Sequence, residues 1–424
     1  MWTDLPFALL RRFLVGPCDD FTFRAARAMQ LPNVDSCSLY LHIPFCRNQC
    51  PYCPYNTVPH DRARVPAFFD ALRREWQLHL PWLRNRRISS LYIGGGTPTL
   101  VWDELERFLA DLRRDLPLNG ELAIETNPAS ITPDLVRRMQ DAGIDLVSLG
   151  VQSFDDSQLR ILGRSYSSDI LDERISQVAA GGFSGVNLDL MFAFGSDPGP
   201  TFLADLRRAA ASGASQITAY PLFRFPYSTI GRHHRIHRLK MPPFRIRRDL
   251  YFDLLDFMRN ERFTQVSVWG FTRSAQTPGY SSVTRDAFLG LGPGAASRFP
   301  GHFYFNTFNL DAYQACLTRS EPATALAMPL SPALGNWYWL YWRFYETFIP
   351  RAEAERRMEH IRWWPRIKFL LTRRNGWTEE PAGWRLTDAG AFWIHLLQNH
   401  FILNAIDRVW TACRQTPFPR RIRI

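Results

Sequence analysis

The amino-acid sequence predicts an α/β protein in which parallel strands alternate with helices, followed by a smaller, mainly helical C-terminal part. From residue 38 onward, short apolar segments of strand composition alternate with amphipathic segments of helical period. The alternation stops near Glu321, and aromatic and helical segments follow. Strands separated by helices of this length form right-handed βαβ units and a parallel sheet. This number of repeats indicates a barrel or part of one.

The boundaries of the predicted elements follow from composition and period. Strands are expected at 38–43, 89–96, 121–125, 145–151, 185–192, 216–222 and 264–270. Helices are expected at 66–80, 102–116, 133–142, 155–162, 169–180, 201–211 and 243–260. Residues 1–37 are predicted to form an N-terminal arm with helix-like pieces at 9–15 and 23–29. The chain therefore divides into this arm (1–37), a core (38–320) and a C-terminal region (321–424) with a basic tail.

The composition is that of a globular protein. The chain has 424 residues, of which 46% are hydrophobic and 21% charged. No run of about eighteen apolar residues is present, so no transmembrane helix is expected. The first residues lack the pattern of a secretory signal, and we expect a cytoplasmic protein. The net charge of +11 favours a solvated basic surface. The alternative interpretation of this charge is peripheral contact with anionic lipid. No nucleic-acid-binding motif is present in the sequence.

Three cysteines stand out because of their spacing. Cys46, Cys50 and Cys53 form a C-x3-C-x2-C pattern directly after the first predicted strand. Three thiolates from one loop suit an iron–sulfur cluster, and a cubane with only three cysteine ligands has one open iron. A structural zinc site would need a second pair of ligands downstream. A disulfide would leave a third cysteine over in a chain expected to occupy a reducing compartment.

The segment Tyr40–Cys53, YLHIPFCRNQCPYC, resembles the cluster motif of the radical S-adenosylmethionine (SAM) superfamily. More narrowly, it is similar to the oxygen-independent coproporphyrinogen III oxidase family, with its heme-chaperone and class C methyltransferase relatives. The resemblance implies a partial (β/α)6 TIM-like barrel, a [4Fe–4S] cluster, and SAM bound at the open iron. One electron from the cluster then cleaves SAM to methionine and a 5′-deoxyadenosyl radical. A flavodoxin- or ferredoxin-type electron donor, a monomeric state and a winged-helix-like C-terminal domain are also expected.

The segment GGGTPT at 94–99 follows the second predicted strand and is by itself a weak signal for a ligand-binding turn. It resembles the family segment that contacts the SAM amino group. The resemblance assigns Gly95, Gly96 and Thr97 to cofactor binding.

Polar residues near the ends of the next strands also match family positions. By this resemblance Tyr40 packs against the SAM sulfonium, where an aromatic face favours a cation. Arg164 binds the SAM carboxylate. Glu125 and Asp189 contact the ribose and amino groups, and Gln152 contacts the ribose. Tyr40, Glu125 and Gln152 are also predicted to be catalytic.

A second SAM molecule is expected by the same resemblance. Tyr52, Phe223 and Ala296 fall where family members contact it, although Phe223 replaces a small residue. The oxidases carry a further cysteine two residues after the third cluster ligand, and here that position is Tyr55. This difference argues against simple identity with the oxidases.

The first hypothesis for the reaction is class C-type methyl transfer to an sp2 carbon of a flat apolar acceptor, such as a quinone or tetrapyrrole. The first alternative is coproporphyrinogen III oxidase-like decarboxylation of propionates, whose charge would suit Arg224 and Arg273. The second alternative is a heme chaperone.

Two other segments are open to more than one interpretation. His233, His234 and His237 favour a solvated basic loop over a metal site. The aromatic segment 336–349 predicts either a helix buried between two domains or a wall for a flat substrate.

Overall fold

The computed structural model describes residues 21–195, 198–223, 239, 241–273, 285–359, 361 and 363–424, without the side chains of 400–404 and 406. The helix-like piece expected at 9–15 lies outside the described residues. Arg224, His233, His234 and His237 also lie outside them.

The strands are numbered in chain order. They are β1 (Thr22–Ala25), β2 (Ser36–Ile43), β3 (Phe45–Cys46), β4 (Val58–Pro59), β5 (Arg87–Gly95), β6 (Glu121–Thr126), β7 (Leu146–Gln152), β8 (Gly185–Phe192), β9 (Gln216–Pro221) and β10 (Thr264–Gln265). The later strands are β11 (Gly270–Thr272), β12 (Phe288–Leu291), β13 (Ala296–Phe299), β14 (His302–Asn306), β15 (Thr324–Pro329), β16 (Phe348–Pro350), β17 (Trp377–Glu380), β18 (Gly383–Leu386) and β19 (Arg421–Arg423).

The helices follow the same numbering. They are α1 (Val65–Leu83), α2 (Trp102–Asp115), α3 (Pro133–Asp141), α4 (Asp156–Ile161), α5 (Leu171–Ala179), α6 (Pro198–Ala211), α7 (Phe244–Asn260), α8 (Leu310–Thr318), α9 (Pro332–Tyr345), α10 (Arg351–Met358), α11 (Trp364–Arg373) and α12 (Asp388–Gln415).

The main sheet contains the predicted parallel strands. Its order is β10-β11-β9-β8-β7-β6-β5-β2-β12-β13-β14-β15-β1-β19. Strands β2, β5, β6, β7, β8 and β9 are neighbours and run parallel. Helices lie between successive strands of this set, which confirms the α/β class and agrees with a partial (β/α)6 barrel. The carboxyl ends of the six strands meet at one edge, and the loops that leave them can form one site.

Two predicted elements were wrong. The piece expected to be helical at 23–29 begins as strand β1, which pairs with β15 and β19. The strand expected at 264–270 is instead a pair of short antiparallel strands, β10 and β11, at the end of the sheet. Strand β1 pairs with segments far away in the sequence, whereas the chain turns back on itself between β10 and β11. Local composition carries little signal for either arrangement.

Helix α2 shows how the sequence builds the outer layer. Leu105, Phe108, Leu109 and Leu112 recur at helical spacing and are all buried at 0–1% exposure. The polar residues of the opposite face stay in water, so this helix gains stability by packing one apolar stripe against the sheet.

The C-terminal part contains its own three-stranded sheet, with the order β16-β18-β17. Helix α9 carries the aromatic segment and packs with this part through the buried residues Trp339, Leu340 and Phe344. Strand β15 lies beyond the boundary predicted at residue 320, yet it pairs with β14 of the main sheet. The division into three domains therefore stays a prediction. Among the described residues, no helix has the length and hydropathy needed to cross a bilayer.

A buried carboxylate on helix α1 connects this helix to the segments around β12, β14 and α8. Glu75 on α1 is 2% exposed. It accepts hydrogen bonds from the Gly292 amide (2.7 Å), the Asn306 Nδ2 (2.6 Å) and the Tyr313 hydroxyl (2.6 Å). Burial raises the pKa of Glu75 to about 7, although the three donors act to lower it. Helix α1 is thereby tied to the loop after β12, to β14 and to α8.

We expect the stability advantage of the parent over Glu75→Gln to fall as the pH rises from about 5 to about 7.5. The pKa of Glu75 is about 7 in the folded state against an ordinary 4.5. The folded state therefore binds this proton more tightly than the unfolded chain, and the parent loses stability across that range. Glutamine does not titrate. The difference in the free energy of unfolding between the parent and Glu75→Gln should therefore change by at most about 3 kcal/mol over this range.

Urea unfolding at several pH values checks this expectation, with the exposed Glu379→Gln as the control. A parent that gains stability relative to Glu75→Gln over the same range would show that the folded state favours the charged carboxylate.

Candidate functional site

The three cysteines of the motif lie together in one closed loop. Cys46 is in β3, which pairs with β4 at the other end of the loop, and the Cys53 amide donates to the Cys50 carbonyl (3.1 Å). Burial, and then the nearby Cys46 and Cys50, raise the pKa of the Cys53 thiol to about 12. The sulfur atoms are thus close enough to repel one another as thiolates, and bound iron relieves such repulsion.

Three cysteines in one loop are the donor set of a [4Fe–4S] cluster with one open iron. Within the described ranges, no three His, Cys, Asp or Glu side chains are placed to hold one metal ion. Ligands of a [4Fe–4S] cluster bind different irons, and their sulfur atoms stand farther apart than ligands that share one ion.

The glycine segment packs directly on the cysteine loop. The Gly96 amide donates to the Ile43 carbonyl (2.7 Å), and Thr97 Oγ1 lies 3.9 Å from Cys46 Sγ. Gly95 has a φ of +115°, and a Cβ at this position would lie 2.7 Å from the His42 ring. Glycine is required there by conformation and by space.

Tyr40 is fixed to the cysteine loop through a histidine. His42 Nε2 bonds the Asn56 carbonyl (2.7 Å), and His42 Nδ1 bonds the Tyr40 hydroxyl (2.9 Å). A carbonyl only accepts, so Nε2 carries the hydrogen and Nδ1 accepts from Tyr40. Burial lowers the pKa of His42 to about 4, which keeps the ring neutral. The hydroxyl of Tyr40 therefore has a set direction.

Glu125 lies near the end of β6 and is linked to Tyr40 through Tyr92. The Tyr40 ring stacks on Tyr92 with centroids 6.2 Å apart, and the Tyr92 hydroxyl donates to Glu125 Oε1 (2.6 Å). The Gly95 amide donates to Glu125 Oε2 (3.1 Å). Burial raises the pKa of Glu125 in spite of these two donors.

Asp189 supplies a second carboxylate near the first. It accepts hydrogen bonds from Ser148 Oγ (3.1 Å) and Asn187 Nδ2 (3.0 Å). Burial, and then the nearby charge of Glu125, raise the pKa of Asp189 to about 7. A cationic ligand near both carboxylates would favour their charged forms, and the amino and sulfonium groups of SAM are cations.

Gln152 and Arg164 lie at the end of β7 and in the loop beyond α4. Gln152 is 4% exposed and accepts a hydrogen bond from the Tyr220 hydroxyl (3.0 Å). The Arg164 guanidinium lies 5.8 Å from the ring centres of both Tyr52 and Tyr166. Arg164 Nε is buried and has no hydrogen-bond partner among the described residues. An orphaned cationic donor fits an anionic ligand group.

The residues predicted for a second SAM are placed differently from one another. Tyr52 borders Arg164. The ring of Phe223 lies parallel to that of Tyr220, with centroids 6.4 Å apart. Ala296 begins β13 and packs with a separate hydrophobic cluster that includes Phe305. The second SAM molecule stays a prediction.

Several residues of the site were not predicted from the sequence. They are His42, Tyr92, Ser148, Asn187, Tyr166 and Tyr220. Strand alternation offered one signal, because Tyr40 and His42 are two positions apart and share a face of β2. The partners of Asn187 and Tyr220 come from neighbouring strands, and pairing across the sheet decides them.

Comparison with known proteins identifies the domain that holds this site. Residues 40–198 match the radical SAM superfamily. The chain carries a radical SAM domain. Its cofactors are a [4Fe–4S] cluster and SAM, and the cysteine loop, the carboxylates and the unpaired arginine nitrogen fit them.

Curated relatives extend the similarity beyond the radical SAM domain. A heme chaperone, HemW, of Lactococcus lactis is 25% identical over 66% of this chain and 73% of its own length. An oxygen-independent coproporphyrinogen III oxidase of Bradyrhizobium diazoefficiens is 27% identical over 70% of each chain. The structure of coproporphyrinogen III oxidase (HemN) from Escherichia coli superposes with a TM-score of 0.74. That match covers 88% of this chain and 91% of the other at 20% identity, and it shows a shared fold.

Replacing any one of Cys46, Cys50 and Cys53 by alanine is expected to prevent cluster assembly, since each thiolate ligates a different iron. Iron and sulfide per chain after anaerobic reconstitution measure the effect. The buried Cys316→Ala, on α8, is the control and should keep the parental content. Parental iron in one of the first three variants would remove that cysteine from the ligand set.

The variant His42→Phe is expected to weaken SAM binding about tenfold, because the Tyr40 hydroxyl loses its acceptor and an unpaired buried group costs about 1–3 kcal/mol. Equilibrium dialysis with the reconstituted protein measures it. His79→Phe is the matched control, since burial also lowers the pKa of His79 to about 4. Parental SAM affinity in His42→Phe would show that Tyr40 needs no such support.

Proposed function

We propose that the chain is a radical SAM enzyme of heme metabolism that acts on a tetrapyrrole, with decarboxylation of a propionate side chain as the first candidate reaction. The observation that carries the proposal is the pair of relatives that match about two thirds or more of each chain. Their names are coproporphyrinogen III oxidase and heme chaperone. Both names concern tetrapyrroles, and neither is the name of a methyltransferase. They favour the two alternatives over methyl transfer to a quinone or a tetrapyrrole.

The residues of the site support the cofactor half of this reaction. When bound, the cluster and SAM supply reductive cleavage of SAM. Glu125 and Asp189 offer negative charge to the cationic groups of SAM, and Arg164 offers its unpaired nitrogen to an anionic one. Tyr40 presents a ring of fixed orientation beside Glu125.

A line of aromatic side chains leads away from the cofactor residues. Tyr220 lies parallel to Phe223, whose ring centre is 6.2 Å from that of His395 on α12. His395 in turn packs edge-on against Trp269 at 4.1 Å. Ligand sites for flat molecules are lined by such side chains. Through His395, the long C-terminal helix contacts this aromatic line.

A heme chaperone is the second candidate, and the residue at position 55 favours it. Tyr55 stands where the oxidases have a further cysteine, and it is 47% exposed. Arg273, considered for a propionate, instead bonds the Ala210 carbonyl (2.9 Å) and lies 3.5 Å from Glu261. Its charge is already balanced within the protein.

An anaerobic assay separates the candidates. The reconstituted, reduced protein is given SAM with coproporphyrinogen III, and separately with heme. We expect 5′-deoxyadenosine together with a decarboxylated porphyrinogen, both absent in Cys46→Ala. Stable heme binding without decarboxylation would replace the proposal by the chaperone. S-Adenosylhomocysteine with a methylated product would restore methyl transfer.

A further inference from the structure

A narrow opening in the protein surface reaches the cysteine loop. Cys50 lines this opening together with Arg47, Thr97 and Arg164. Cys50 is half-buried, and among the three cysteines of the loop it alone lines the opening. Its thiol therefore connects the predicted cluster site with the solvent at this point of the surface.

The size of the opening excludes most ligands. Its volume is about 30 Å³, which is room for ordered water. SAM or a flat substrate needs a pocket of about 300 Å³ or more. An electron needs no such passage, because it reaches a cluster through the protein when its donor comes close. The opening thus marks a place where the cysteine loop lies under a thin layer of protein.

The rim of the opening has a fixed shape. Gly163, in the loop after α4, has a φ of +68°, and a Cβ there would lie 2.7 Å from Pro51 Cδ in the cysteine loop. The loop after β6 is closed by Asn127, whose Oδ1 accepts a hydrogen bond from the Ala129 amide (2.9 Å). Close contact and local hydrogen bonds hold these loops, so the rim can receive a partner without rearrangement.

The charge of the rim is positive. Arg47 and Arg164 line the opening, and none of the described lining residues is acidic. Arg47 is exposed and forms no ion pair within the part of the chain that the structure describes. Arginines elsewhere on the surface pair with carboxylates, as Arg137 does with Asp134 (2.7 Å). An unbalanced positive rim attracts an acidic partner and speeds its approach.

We propose that this rim, formed by Arg47, Asn48 and Ser165, is the docking surface of an acidic one-electron carrier protein that reduces the cluster beside Cys50. For a ferredoxin, the reduced carrier loses one electron and the cluster gains it, and no atom is transferred. Encounters of this kind use small interfaces, for which one opening and its rim suffice. The inference rests on reductive cleavage of SAM and is independent of the tetrapyrrole reaction.

Binding of an oxidised, acidic [2Fe–2S] ferredoxin to the reconstituted holoprotein tests the surface directly. In isothermal titration calorimetry at low salt, Arg47→Glu should bind it about tenfold more weakly than the parent, because the reversed charge repels an acidic partner. Arg87→Glu makes the same charge change at an exposed position at the opposite end of β5 from Thr97, and it should bind as the parent does. Parental affinity in Arg47→Glu, or no binding by the parent, would overturn the proposal.

A comparison of two reductants separates docking from damage to the site. Formation of 5′-deoxyadenosine from SAM, without a tetrapyrrole, is driven either by limiting reduced ferredoxin or by dithionite. Arg47→Glu should slow the ferredoxin-driven rate about tenfold and keep the dithionite-driven rate and the iron content, since a small reductant needs no docking surface. Equal losses with both reductants would contradict the proposal.

A second variant keeps the test decisive if Arg47→Glu assembles no cluster. Ser165 is exposed on the rim, and Ser165→Arg adds a positive charge there. It should bind ferredoxin several-fold more tightly than the parent at low salt and lose this advantage as salt is added. Unchanged or weaker binding in Ser165→Arg would count against the proposal. Because neither assay contains a tetrapyrrole, a failure of the proposed decarboxylation leaves these results unaffected.

Discussion

Close contact between two loop backbones is the constraint on which the site depends. The amides of Gly96 and Thr97 donate to carbonyls in the segment that leads into the cysteine loop, at 2.7 and 2.8 Å. This contact sets the three thiols beside the ends of β5 and β6. It leaves no room for a side chain at Gly95. A shift of either loop would separate the cluster ligands from Glu125, which the Gly95 amide also holds.

The electrostatics of the site suit a zwitterion with an additional positive charge. Two carboxylates, Glu125 and Asp189, have pKa values raised by burial, because their surroundings contain too little positive charge. Arg164 shows the opposite condition, with a buried nitrogen that lacks an acceptor. SAM contains an amino group, a sulfonium and a carboxylate, so it offers a partner to each of these groups.

The C-terminal part is joined to the main sheet and is not a simple appendage. Strand β19 pairs with β1, and β15 continues the sheet beyond β14. No residue of the aromatic segment 336–349 is exposed, and Trp339, Leu340 and Phe344 are buried in the C-terminal cluster. This agrees with a helix buried between two parts of the protein. The aromatic line from Tyr220 to α12 is the wall that the proposed function would use for a flat ligand.

The sequence by itself determined the repeating strand–helix order, the cysteine loop and the glycine segment. Each of these depends on residues close together in the chain, through period, spacing or turn chemistry. Tertiary structure alone decided which side chains support the site. Tyr92, Asn187 and Tyr220 join it through pairing of neighbouring strands. Such contacts have no local signature, because they depend on the register of the sheet and on the packing of helices against it.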